Sequence, residues 1–77
     1  MMTILAYVLI QVKAGFTLTI AEKIRKLDQI KMAHAVTGPV DIIAIVEMDD
    51  LNQLGDVIES IHRVEGVVRT QTCVVIG

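Results

Sequence analysis

The chain has no tryptophan, one tyrosine, one phenylalanine, one cysteine and one proline in 77 residues. Each scarcity excludes something. A single cysteine, Cys73, allows no internal disulfide and no Cys-x-x-Cys metal site, so a copper-carrying domain is ruled out. One unpaired thiol also suits a reducing cytoplasm better than secretion. With so few aromatics there is no platform on which nucleic-acid bases could stack. The seven Lys and Arg are outnumbered by nine Asp and Glu, for a net charge of −2. They are scattered, and no basic patch tracks a phosphate backbone. A glycine-rich phosphate cradle is missing as well. No run approaches the roughly 20 apolar residues of a membrane span. The opening MMTILAYVLIQVK lacks the positive start and small-residue cleavage site of a signal peptide, and Gln11 and Lys13 interrupt it.

What is abundant is aliphatic surface. The chain is 53% hydrophobic with a mean hydropathy of +0.62. Residues 1–77 form one small domain, and at this size folding buries only about 60% of the surface of the unfolded chain. Below roughly 80 residues a disulfide, a metal or oligomerisation is needed to supply the missing stability. With one cysteine and two distant histidines, oligomerisation is the expected route.

Residues 3–12, TILAYVLIQV, read as a strand closed by Gly15. Ile20, Ala21, Ile24 and Leu27 then recur at helical spacing, and Thr19 followed by Glu22 is a capping-box pattern that predicts a helix start at Thr19. Residues 31–37 read as a weaker strand, and residues 40–48 as a strong one. A second helix follows, with Asp50 as N-cap, Gln53 three residues on, and Leu51, Leu54, Val57, Ile58 and Ile61 on one face. Residues 67–76 form the last strand. The order β-α-β-β-α-β predicts a ferredoxin-like α+β fold: a four-stranded antiparallel sheet with both helices on one face and the first and third strands in the centre.

Two helices cover only one face, so the other should alternate to polar. It does not. Leu5, Tyr7, Leu9, Ile43 and Ile45 leave the uncovered face apolar until Gln11 and Glu47. Such a face, at about 4.8 Å by 20 Å per strand, projects roughly 400 Å². Burying two of them is worth on the order of 20 kcal/mol gross at about 25 cal/mol per Å², against roughly 4–15 kcal/mol for association. A sheet-to-sheet homodimer is expected.

Catalytic chemistry finds little support. Cys73 sits in an apolar strand and reads as a small buried hydrophobe. His34 and His62 lie far apart with no acidic partner nearby, so no metal site is expected. His34 reads as a polar residue on an edge strand, and His62 as facing the negative end of a helix dipole. Asp49 and Asp50 belong to a helix N-terminus. No cofactor is implied, and the chain is not expected to be an enzyme.

The stretch VTGPVD, residues 36–41, reads as a tight hairpin: Gly38 allows positive φ and Pro39 rigidifies it. Asp41 either caps this turn or, together with exposed backbone N–H groups, meets the charged groups of a free amino acid. Thr70 and Thr72 share one face of the last strand, as ordinary β-formers or as two hydroxyls lining a pocket.

Taken together, LAYVLIQVKAG, VTGPVDIIAIVEMDDLNQL and GVVRTQTCVVIG resemble the effector-binding (RAM) domain of the Lrp/AsnC transcriptional regulators along essentially the whole chain. The TG-x-x-D hairpin and the terminal T-x-T strand are the most specific parts. The resemblance implies a dimeric α/β barrel, dimers assembling into octamers or similar rings, and amino-acid effectors bound between dimers. Carried onto this chain, the implied contacts are Thr37, Gly38, Pro39, Val40 and Asp41 with Thr70 and Thr72, and His34 beside them. The helix-turn-helix domain of such regulators has no counterpart in these 77 residues, so the resemblance implies a stand-alone domain without direct DNA contact, able to co-assemble with full-length regulators. The alternative readings are a ligand-free assembly partner of such regulators and, less well supported, a small enzyme on the same barrel scaffold.

Overall fold

The computed structural model describes residues 3–77. Strand β1 (Ile4–Val12) leads into helix α1 (Thr17–Arg25), then β2 (Ile30–Ala35), β3 (Ile42–Met48), one 3₁₀ turn over Leu51–Gln53, helix α2 (Leu54–His62) and β4 (Val67–Val74). The four strands form one antiparallel sheet in the order β2-β3-β1-β4. The ferredoxin-like order read from the sequence is therefore present, with the two most apolar strands in the centre.

The alternation of side chains along a strand divides the sheet into two faces. Ala6, Val8, Ile10, Ile42, Ala44 and Val46 are fully buried beneath the helices. Ile20, Ala21 and Ile24 of α1 and Val57 and Ile61 of α2 close this core from above. The helical face of α2 read from the sequence continues through Leu54 and Ile58, which are half-buried, but not to Leu51, which is exposed.

Helix α1 starts two residues before the predicted Thr19. Gly15, at φ +98°, turns the chain out of β1, and the Ile20 N–H closes the first turn on the Phe16 carbonyl at 2.9 Å. Phe16 is the N-cap, with no side-chain bond, so the Thr19–Glu22 pattern caps nothing. The cap predicted for the second helix forms on the 3₁₀ turn that leads into it, and α2 itself begins later than predicted, at Leu54. The Asp50 carboxylate accepts from the Asn52 N–H at 2.9 Å, and Gln53 Oε1 accepts from the Asp49 and Asp50 N–H groups at 2.9 and 3.3 Å. Between α2 and β4, Gly66 has φ +99°, and a Cβ there would stand 2.6 Å from Ile20 Cδ1. The positive φ favours glycine at this point, and a side chain would in addition have to displace the end of Ile20.

The uncovered face carries rows that cross the sheet in register. One runs Met32, Ile45, Tyr7, Cys73, and the next His34, Ile43, Leu9, Gln71. Cys73 is exposed rather than buried as its apolar strand predicted, because it lies opposite Tyr7 on the face that no helix covers. No helix among the described residues is long and apolar enough to cross a membrane.

Candidate functional site

The hairpin between β2 and β3 folds back against β1. The Val36 N–H donates to the Asp41 carbonyl at 2.9 Å, so residues 37–40 form the loop, with Gly38 at φ +139°. Asp41 extends the β1–β3 ladder by one rung beyond the last strand pair. Its N–H donates to the Ile10 carbonyl, and its Oδ2 accepts from the Val12 N–H, each at 2.9 Å. The carboxylate takes the place of a backbone carbonyl that the turning chain no longer supplies. Gln11 Nε2 adds a 3.3 Å bond to the Pro39 carbonyl. The loop is thus pinned to β1 at two points.

Beside it lies a crevice of about 190 Å³ on the uncovered side of the sheet. Its floor is Leu9 and Gln11 of β1, one wall is Pro39 and Val40 of the hairpin, and the other is Arg69, Thr70 and Gln71 of β4. Register sets this arrangement: Gln11 stands opposite Arg69 and Leu9 opposite Gln71. A one-residue bulge between Val67 and Arg69 then ends the regular pairing with β1. The volume is below the roughly 300–1,000 Å³ of complete small-molecule pockets. A larger hollow of about 300 Å³ lies at the start of α1, between Lys13, Phe16, Lys23 and Glu65, and includes no hairpin residue.

The residues singled out in the sequence are not all brought together. Pro39 and Val40 line the crevice, and Asp41 braces its hairpin wall from behind. Thr37 and Gly38 are exposed at the tip of the loop. Thr70 contributes to the wall, but its hydroxyl lies 3.0 Å from His62 Nε2, on the helix side of the sheet. Thr72 shares that side, opposite buried Val8, and does not line the crevice. The two hydroxyls therefore face away from the uncovered side, because even positions of β4 pair with the buried residues of β1. His34 stands on the uncovered face of β2, two strands from β1, and does not reach the crevice. His62 is in the last turn of α2 as expected, but Thr70 is its hydrogen-bond partner.

Gln11, Arg69 and Gln71 went unnoticed in the sequence as site residues. A signal was present: each interrupts the apolar parity of a strand at the end nearest the hairpin. Among the described residues, no three His, Cys, Asp or Glu side chains converge as a metal would require.

The βαββαβ fold agrees with the comparisons. Residues 5–77 match the family model of the Lrp/AsnC ligand binding domain, and the chain belongs to that family. It is 32% identical over 73 residues to the HTH-type transcriptional regulator FL11 of Pyrococcus furiosus, covering 95% of this chain and 48% of FL11. The chain thus spans about half the length of the curated regulators it matches. The crystal structure of TTHA0845 from Thermus thermophilus superposes with a TM-score of 0.90 at 36% identity, covering 96% of this chain and 94% of that one. The regulator NMB0573 of Neisseria meningitidis, solved as a complex with L-Met, has the same fold, with a TM-score of 0.81 at 22% identity over 96% of this chain and 50% of its own.

Proposed function

We propose that this domain binds a free amino acid at the crevice between the 36–41 hairpin and the β1–β4 pair, and that occupancy shifts the balance between its assembly states. The observation that carries the reading is the pinned hairpin: Asp41 and Gln11 hold a loop rich in backbone N–H and C=O groups beside a crevice too small to enclose a ligand alone. A second copy of the chain supplies the missing wall. A ligand held between two copies then stabilises only the states that bring them together, which is the thermodynamic requirement for a ligand-driven shift. Kinship with transcriptional regulators and the L-Met complex of NMB0573 support the choice of ligand class. Loop N–H groups suit an α-carboxylate and loop carbonyls an α-ammonium, and Asp41 holds the loop that presents them in place. The β4 side of the site is Arg69, Gln71 and the Thr70 main chain.

A thermal-shift panel of the twenty amino acids at millimolar concentration tests this. A ligand at about 100 times its dissociation constant adds roughly 2.7 kcal/mol, which moves the melting point of so small a domain by on the order of 10 °C. Asp41→Ala removes the bond that pins the hairpin, so it should weaken the shift and lower the unliganded melting point, whereas Asp41→Asn, which keeps an oxygen for the Val12 N–H, should leave both near the native values. No shift across the panel would leave a ligand-free assembly module instead.

A further inference from the structure

The crevice has a one-sided chemistry. Arg69 is the one ionic side chain among the residues that line it. The ion pairs among the described residues join Lys31 to Glu47 and Arg63 to Glu59, and neither involves Arg69. Across β1 and β4 the pairs Gln11–Arg69 and Leu9–Gln71 place a guanidinium and two carboxamides on one small patch. Arg69 and Gln71 lie two residues apart on one face of β4, about 7 Å along the strand, a span that their long side chains close to receive one ligand group. Gln11 turns its amide nitrogen to the Pro39 carbonyl, which leaves Arg69 and Gln71 as the donors facing the crevice.

We infer that the ligand of this crevice is an amino acid with a carboxylate or carboxamide side chain, received by Arg69 and Gln71. The inference rests on the amino-acid reading of the site and adds the class of side chain. A guanidinium presents two parallel N–H groups that match a carboxylate in a bidentate pair, and a carboxamide oxygen accepts one of them. A lysine-like or arginine-like side chain would meet the like charge of Arg69. The carboxylate of the hairpin, Asp41, stands outside the lining with one oxygen committed to the Val12 N–H. An aliphatic side chain would strip water from Arg69 and return no hydrogen bond, a cost that apolar contact with Leu9 and Val40 does not offset.

The test is isothermal titration of the full chain with L-glutamate, L-aspartate, L-glutamine, L-asparagine, L-lysine, L-leucine and L-methionine, for the native sequence and for Arg69→Gln. The native chain should bind the acidic and amide amino acids more tightly than the other three. Arg69→Gln, a change at an exposed position, should melt as the native chain does. It should lose about tenfold or more in affinity for the acidic ligands, the equivalent of one charge-assisted hydrogen bond, and less for the amides. Preference for lysine, leucine or methionine would overturn the inference and leave the amino-acid reading standing. So would an equal loss for every amino acid in Arg69→Gln, which would assign the guanidinium to the α-carboxylate. Binding of none of the seven, with no shift across the twenty, would end both.

Discussion

Asp41 separates two roles that the sequence left open. It does not cap its own turn. It accepts from Val12, 29 residues away, and so ties the hairpin to the end of the central strand. Asp41→Ala should destabilise the domain by about 1–2 kcal/mol, since it removes the acceptor of a part-buried backbone N–H, while Asp41→Asn should stay near the native value. Urea denaturation at neutral pH checks both. The rung was not legible beforehand because it depends on where β3 turns away from β1, and no residue type marks that place. Thr70 and Thr72 show the same limit. Their shared parity was visible, but which face that parity takes was fixed only by register with Val8 and Ile10.

Among the elements, strand order and the cap ahead of the second helix were legible because several signals agreed there. Asp50 and Gln53 form the reciprocal cap their spacing implied, and Val57 and Ile61 face the core as their period required. Gln53→Ala should cost about 1 kcal/mol, since it leaves the Asp49 and Asp50 N–H groups to water, and thermal melts would register it. The first helix misled for a physical reason. A Thr-x-x-Glu pattern is a local signal, and the chain reversal at Gly15 set the start two residues earlier. Cys73 misled because periodicity assigns a face and says nothing about whether another layer covers it.

For the molecule as a whole, the uncovered face is the feature a lone copy leaves unresolved. Leu5, Leu9, Ile43 and Ile45 are half-buried there, and Tyr7 and Met32 are exposed. If two copies meet through it, Ile45→Lys places a charge in the middle of the contact while leaving the helix-side core untouched. The variant should fold and sediment as a monomer at concentrations where the native chain is a dimer. Equal sedimentation of the two would show that this face does not associate.

The pairing of β1 with β4 has one more consequence. The start of β1 and the end of β4 lie side by side, with the Val75 N–H donating to the Leu5 carbonyl at 2.9 Å. The crevice sits toward the opposite end of the same two strands, about 14–20 Å away at roughly 3.4 Å per residue. A fluorophore or fusion partner attached at either end would therefore leave the crevice unobstructed.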